Sequence, residues 1–178
     1  MHNYQRITSA SRVLSVVCLI LLVLLPFYLA HHWLLPTHLW LDGMPFGSSL
    51  NLFDSWPPPV DKQVLGLLIT LLPGFFFTKG LWHLRQLFKL YSGGEFFSEA
   101  IVETYNKCAS AALWFVIGWI CSETLMSVAM SYDSDAPFLS VSFTHAHALA
   151  LFTAALLRVI TLIMSASHEL AAENQSFV

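Results

Sequence analysis

Charged residues are scarce in this sequence. Lys, Arg, Asp and Glu make up 11% of its 178 residues, whereas soluble domains carry roughly 25%. Hydrophobic residues make up 56% and the mean hydropathy is +0.65. So few charges cannot cover a surface that faces water, so the composition argues against a soluble domain. It predicts one integral membrane domain that spans residues 1–178.

Motifs of catalysis and of nucleic-acid binding are also missing. The sequence has no Cys-x-x-Cys, no His-Glu-x-x-His and no nucleophile elbow, and "SGGEFF" lacks the Lys of a phosphate-binding loop. The net charge is −3 and there is no basic stripe, which argues against nucleic-acid binding. We therefore expect a protein that is not an enzyme and makes no direct contact with nucleic acid.

Long apolar runs are what the sequence has instead. A helix that crosses a bilayer needs about 20 mostly apolar residues. One such run could be a buried core helix, but four runs with little polar sequence between them predict an all-α bundle of four transmembrane helices. The four runs are Val13–Trp33, Val64–Leu84, Cys108–Met130 and Thr144–Ser165. The first run is too long for a signal-peptide core, and it ends in the bulky residues "FYLAHHW" where a cleavage site would need small ones, so we expect a permanent helix.

The distribution of Lys and Arg predicts the orientation of the bundle. Basic residues concentrate before the first run and between the second and third, and only Lys62 lies between the first and second. Because basic loops stay in the cytoplasm, the N and C termini are predicted to be cytoplasmic. The long loop of residues 34–63 is then on the outer side. The cysteines (Cys18, Cys108 and Cys121) avoid both outer loops, where disulfides would form, and are expected to be buried hydrophobic side chains.

Small residues in the third run favour close helix packing. Gly118 and the run of residues 109–112, which includes three alanines, offer faces that a neighbouring helix can approach closely.

Residues 92–107 are predicted to form a cytoplasmic helical hairpin turn and the start of the third helix. Gly93 and Gly94 permit the positive φ angles that end a helix. Ser98 is a good N-cap residue, and Phe97 and Val102 have the spacing of a hydrophobic staple. The simplest interpretation is a well-formed turn between two spans.

Two short motifs resemble a known family. "GEFFSE", residues 94–99, precedes the third helix, and "HELAAENQSFV" ends the chain with Leu170, Glu173 and a short β-like tail, Gln175–Val178. Together they resemble the bacterial membrane proteins called domain of unknown function 2975, over roughly Val64–Val178. Ala171 and Ala172 depart from the family pattern, in which an acidic residue is common there.

The resemblance implies a location but no chemistry. It implies a multi-pass protein of the bacterial inner membrane with no established activity. Family members are often encoded beside small helix-turn-helix regulators, which implies a role in membrane-linked regulation with such a regulator as a candidate partner. No functional residue comes with the resemblance.

Histidines at the outer ends of the helices are candidate metal ligands. His31 and His32 end the first helix, and His145 and His147 begin the fourth. Glu123 lies at a similar depth, about 24 Å along the third helix from its cytoplasmic entry at 1.5 Å per residue. Imidazole and carboxylate groups bind zinc, copper or iron, so we consider a metal site of His31, His145, His147 and Glu123. The alternative is that these histidines are interfacial anchors.

A second pair of histidines lies near the cytoplasmic side. His83 and His168 have similar depth, and opposed histidines can hold haem between helices. With eight histidines in the chain, such a match also arises by chance. No cofactor is favoured, and metal or haem is the alternative to none.

Glu123 has a further interpretation of its own. An acid within a span is costly facing lipid, so it should face the bundle interior beside His145 or His147, with Ser122 or Thr124 as a hydroxyl neighbour. The two histidines are two positions apart, so only one of them can be the partner.

The favoured function is a regulatory or accessory membrane subunit that acts through protein contacts. Its partner would be a membrane or cytoplasmic protein, and a homo-oligomer is compatible with the sequence. The runner-up is a metal- or haem-binding membrane protein.

Overall fold

The fold is all-α. The computed structural model describes residues 2–34, 58–96, 98–134 and 136–176. These residues form four helices: α1 His2–Leu34, α2 Val60–Ser92, α3 Glu99–Ser131 and α4 His145–Ser176. Each helix is long and apolar enough to cross a membrane. The predicted four-helix architecture is therefore confirmed, and most of the predicted outer loop, residues 35–57, lies outside the described residues.

The helices continue beyond the apolar runs that predicted them. α1 begins at His2 rather than Val13, and α4 continues through Ser176 rather than stopping near Ser165. Residues 166–176 contain no glycine or proline, and strong helix formers such as Ala, Leu and Glu let the helix propagate. The predicted β-like tail is therefore wrong for Gln175 and Ser176, which are helical.

The helices pack in chain order, α1 on α2, α2 on α3 and α3 on α4, and in the described residues α1 and α4 make no backbone contact. In its most apolar stretch α3 has 44% of its residues buried, whereas α4 has 11%. α3 is therefore the central helix, and most of the surface of α4 is left for lipid or for another protein.

Small residues bring α2 and α3 close together, as the sequence predicted. A β-carbon added at Gly80 would lie 3.7 Å from the Cβ of Ala111, and one added at Gly118 would lie 3.6 Å from the Cα of Pro73. Short side chains let two backbones approach and gain dispersion contacts that lipid cannot match.

Polar contacts join α2 to α3 at the end of the bundle where α2 begins, which we call the far end. Lys62 Nζ lies 2.5 Å from a carboxylate oxygen of Asp133 and donates to the carbonyl of Met130 at 3.1 Å. The hydroxyl of Tyr132 donates to Asp61 at 2.8 Å. This bond to a carboxylate raises the pKa of Tyr132 above its usual value.

The turn between α2 and α3 defines the opposite end of the bundle, which we call the turn end. Gly94 has φ +84°, so it takes the left-handed conformation that favours glycine. Gly93 does not, because its φ is −81°, so only one of the two glycines has the predicted positive φ. The predicted staple lies partly outside the described residues, since Phe97 is not among them.

Ser98 is the N-cap residue of α3 by position but not by hydrogen bonding. Its backbone is extended, with φ −83° and ψ 155°, yet its side chain makes no cap bond. The hydroxyl instead donates to the carboxylate of Glu95 at 3.0 Å. A bond to a charged acceptor is stronger than one between neutral groups, so Glu95 competes with the helix end. The predicted side-chain cap is therefore wrong.

Candidate functional site

The connection from α3 to α4 folds back along α3 instead of leaving the far end directly. The backbone N–H of Phe138 donates to Ser131 Oγ at 3.1 Å, and that of Ser140 donates to Ser127 Oγ at 2.9 Å. Ser142 Oγ donates to Glu123 Oε2 at 2.6 Å. Three side chains of one face of α3 thus hold three alternate residues of an extended segment, residues 138–143, which we call the return segment.

The spacing of this ladder follows from the two backbone geometries. Four residues of a helix rise about 6.0 Å, and two residues of an extended chain rise about 6.6 Å. Positions 123, 127 and 131 on α3 therefore stay in register with positions 142, 140 and 138. In a membrane every backbone polar group needs a protein partner. The serine hydroxyls of α3 are the partners of two backbone N–H groups of the return segment. The alternate residues Leu139, Val141 and Phe143 are exposed and apolar.

Glu123 is the innermost rung of the ladder and is buried, with 8% of its surface exposed. One carboxylate oxygen accepts the bond from Ser142, and the other accepts from the indole N–H of Trp119 at 3.0 Å. His147 Nε2 lies 3.7 Å from that second oxygen. The prediction that Glu123 faces inward beside a histidine is confirmed, and the partner is His147, which is fully buried, while His145 is exposed.

The start of α4 determines the tautomer of His147. The backbone N–H of Thr144 donates to His147 Nδ1 at 3.1 Å, and the backbone N–H of His147 points back to Thr144 Oγ1 at 3.4 Å. This is the reciprocal arrangement of a capping box, with His147 in the place of the usual Glu or Gln. Because Nδ1 accepts a proton donor, the proton of a neutral ring is on Nε2, which faces Glu123.

The ring of His147 is also fixed by aromatic contacts. It lies edge-on to Trp119 with centroids 4.4 Å apart and beside Phe143 at 5.9 Å. Within the described residues Nε2 makes no hydrogen bond, since 3.7 Å to Glu123 is too long. The site is thus a closed polar cluster that fastens the return segment and the start of α4 to α3.

The predicted metal ligands do not converge as a set in the described part of the chain. Glu123 and His147 come together, but no group of three His, Cys, Asp or Glu side chains there could hold a metal ion. A metal on Nε2 of His147 would require the ring proton to move to Nδ1, where the N–H of Thr144 already points.

The predicted haem pair has one described side chain. His83 is partly buried, and its Nδ1 lies 3.3 Å from Gln86 Oε1. The side chain of His168 lies outside the described residues, so haem binding stays a prediction.

Sequence reasoning missed two partners of Glu123, Trp119 and Ser142, and proposed Ser122 or Thr124 instead. Ser122 and Thr124 bond to carbonyls of their own helix, at Trp119 and Ile120, as hydroxyls in helix interiors commonly do. Ser142 was missed, although the alternation of serine with apolar residues over 139–143 is typical of an extended segment with one polar face.

Comparison with known proteins gives a family. No curated protein and no solved structure matches the chain significantly. A family model described as "Protein of unknown function (DUF2975)" matches residues 5–178. The match includes α1, where the sequence motifs had given no indication. The chain therefore belongs to the DUF2975 family of proteins of unknown function.

Proposed function

We propose that this protein is a non-enzymatic regulatory or accessory subunit of the bacterial inner membrane that acts through protein contacts at its turn end. The observation that supports this proposal most is the projecting hairpin of α2 and α3. The proposal places the turn end in the cytoplasm, in accordance with its basic residues.

The hairpin is longer than the hydrocarbon core of a membrane. α2 and α3 are 33 residues each, which corresponds to about 50 Å at 1.5 Å per residue, whereas the hydrocarbon core is about 30 Å thick. The apolar part of α2 ends near Leu84, so the last residues of α2 and the first of α3 extend about 12 Å past the hydrocarbon boundary. A surface that far out is within reach of a soluble partner.

Aromatic contacts make the projecting part rigid. The hydroxyls of Tyr91 and Tyr105 are bonded at 2.9 Å across the hairpin. Phe96 stacks on Tyr91 with centroids 5.7 Å apart and meets Tyr4 of α1 edge-on at 5.3 Å. A preorganised surface loses little entropy on binding.

The charges of the projecting part suit a protein partner. Both signs are exposed there, and interspersed charges of both signs are complementary to a protein surface rather than to a nucleic-acid backbone. The exposed charged residues are Arg6, Lys89, Glu95, Glu99, Glu103 and Lys107. A helix-turn-helix regulator is a candidate partner on the strength of the family resemblance.

Site-specific photocrosslinking in native membranes tests this proposal. A photoreactive residue at Glu99, on the exposed turn end, should give one discrete adduct whose partner is identified by mass spectrometry. The matched control is Ser134, which is equally exposed at the far end. Adducts of the same pattern from both positions, or none from Glu99, would contradict a partner surface at the turn end.

Metal or haem binding is the alternative function. The approach of Glu123 to His147 favours it, and the tautomer of His147 argues against it. An optical spectrum and metal analysis of the purified protein distinguish this function from a regulatory role. A stoichiometric metal or a haem absorption band would contradict the regulatory proposal and support metal or haem binding.

A further inference from the structure

A groove lined by both polar and aromatic side chains opens between α2 and α3 on the turn-end half of the bundle. Its volume is about 220 Å³. Lys79 and His83 of α2 line one wall, and Asn106, Lys107 and Ser110 of α3 line the other. All are hydrogen-bond donors or can become so, and two carry a full positive charge. This groove is not part of the Glu123 cluster, which lies between α3 and the return segment.

Lys79 carries a charge that nothing in the described residues neutralises. It lies within the apolar part of α2, with its side chain exposed on the outside of the bundle. Its Nζ lies 5.2 Å from the centroid of the Phe75 ring, and none of the described carboxylates pairs with it. A lysine that faces lipid without a counter-charge is costly, so an anion in the groove would be stabilising.

Besides Lys79, the groove has two cations, Arg158 at its edge and Lys107 in its lining. Arg158 of α4 donates from Nη1 to Asn106 Oδ1, which brings a guanidinium to the edge of the groove. Lys107 pairs with Glu103 at 2.7 Å, but both side chains are about half exposed or more, at 49% and 65%. An exposed pair one helical turn apart contributes little, so Lys107 can turn towards a better acceptor.

Aromatic side chains form the rest of the lining. Phe76 and Trp114 stack with centroids 6.0 Å apart and an interplanar angle of 20°. Trp114 is exposed, so its ring adds an apolar surface beside the polar side chains. The groove therefore joins cations, polar donors and an apolar floor on a surface that faces lipid.

We propose that this groove binds the phosphate group of an anionic phospholipid. Basic pockets between transmembrane helices are suited to such headgroups. Phosphate accepts several bonds from Lys and Arg. The cations also disfavour a zwitterionic headgroup, whose own positive charge would lie beside Lys79, Lys107 and Arg158. The acyl chains of the lipid lie along the exposed apolar surface of the neighbouring helices.

Native mass spectrometry of the purified full-length protein tests the proposal. The protein is mixed with phosphatidylglycerol or with phosphatidylcholine of the same acyl chains, and bound lipid is counted. Wild type should prefer phosphatidylglycerol. Each basic residue raises the affinity for an anionic lipid about fivefold. The affinity of the double variant Lys79→Gln/Lys107→Gln for phosphatidylglycerol should therefore be about 25-fold lower. Both residues are exposed, so the variant should fold.

Lys89→Gln is the matched control. It removes one positive charge from α2, as the single variant Lys79→Gln does, at an exposed position that does not line the groove. Lys79→Gln should lose about fivefold in affinity for phosphatidylglycerol, whereas Lys89→Gln should leave the preference unchanged. Equal binding of the two lipids by wild type, which needs no variant, overturns the proposal. A loss of affinity in Lys89→Gln equal to that in Lys79→Gln also overturns the proposal, because it would indicate diffuse electrostatic attraction or a surface that binds an acidic protein.

A third arm distinguishes a lipid from a soluble phosphate. Glycerophosphoglycerol supplies the same phosphodiester headgroup without acyl chains. Binding much weaker than that of phosphatidylglycerol supports a lipid site. Equally tight binding, lost in the double variant, would show a site for soluble phosphate compounds and overturn the lipid assignment.

Discussion

Glu123 occupies a position where a carboxylate is expensive, so its partners determine its role. The carboxylate is faced by three donor groups, which belong to Trp119, Ser142 and His147. The site is closed to solvent, since Glu123 is buried. A catalytic acid needs access for a substrate, whereas this carboxylate bonds to the chain on two sides. Its arrangement fits a fastener of the return segment better than a reacting group.

Removing the hydroxyl of Ser142 should loosen this fastening. Ser142→Ala leaves one oxygen of a buried carboxylate without its donor. Hydrogen bonds between membrane helices average about 0.6 kcal/mol and reach about 1.7, and a charged acceptor favours the upper end. We expect a loss of about 1–2 kcal/mol in the free energy of unfolding, measured by titration with sodium dodecyl sulfate.

Ser134→Ala is the control for this change. Ser134 is exposed, and within the described part of the chain its hydroxyl bonds only to the carbonyl of Ser131, so its loss should stay within about 0.5 kcal/mol. Equal effects of the two substitutions would mean that the bond to Glu123 contributes no stability.

Part of this site could be predicted from the sequence and part could not. The approach of Glu123 to a histidine followed from matched depth and the cost of an exposed charge. Ser142 could not be reached by the same reasoning, because a loop residue has no depth until its path is known. Besides Glu123, the side chains that hold the return segment to α3 are Ser127 and Ser131, and serine is common in both surface loops and helix packing.

At the scale of the elements, one contact between α1 and α2 sets a large side chain against a residue that has none. Trp33, which is 2% exposed, lies directly against Gly66 and packs with Met126 and Met130 of α3. The sequence placed Trp33 at the end of an apolar run, where interfacial aromatic residues are common, and nothing in it indicated that the ring faces inward.

Gly66→Ala should therefore destabilise the bundle. An added β-carbon would lie 2.2 Å from the Trp33 ring, so the ring or the helix must move, and such overpacking costs about 1–3 kcal/mol. Gly80→Ala is the matched control, because its β-carbon would meet Ala111 at an ordinary 3.7 Å. We expect detergent unfolding to show a clear loss for Gly66→Ala and a small effect for Gly80→Ala. Similar effects would mean that helix propensity, not contact with Trp33, governs both.

The same reasoning explains which features of the helices were predictable. Apolar runs placed the centres of all four, because length and hydropathy are properties of the local sequence. The ends were less predictable, since polar residues outside a membrane can remain helical, as residues 166–176 do. Ser98 is the N-cap residue of α3 by position, but its predicted cap hydrogen bond was wrong. The hydroxyl of Ser98 donates instead to the carboxylate of Glu95, three residues earlier.

For the whole molecule, the orientation in the membrane remains a prediction from the positions of the cations. The turn end carries Arg85, Lys89 and Lys107, whereas at the far end Lys62 is held by Asp133. If all four helices cross the membrane, both termini lie on the same side as the turn end. The proposed partner surface and the proposed lipid groove both belong to that side.

Cysteine labelling in intact cells tests this orientation. Ser134→Cys is exposed at the far end, and Ser92→Cys lies at the turn end. A membrane-impermeant maleimide should label Ser134→Cys from outside and should label Ser92→Cys only after the cells are opened. Wild type is the background control. Cys18 and Cys108 are buried as expected, whereas Cys121 is exposed, contrary to the expectation, but lies within a span, where a charged reagent cannot enter. If Ser92→Cys reacts from outside, the rule that basic loops stay in the cytoplasm fails for this chain. The turn end would then face away from any cytoplasmic regulator, and the partner surface proposed there would have to be sought on the outer side.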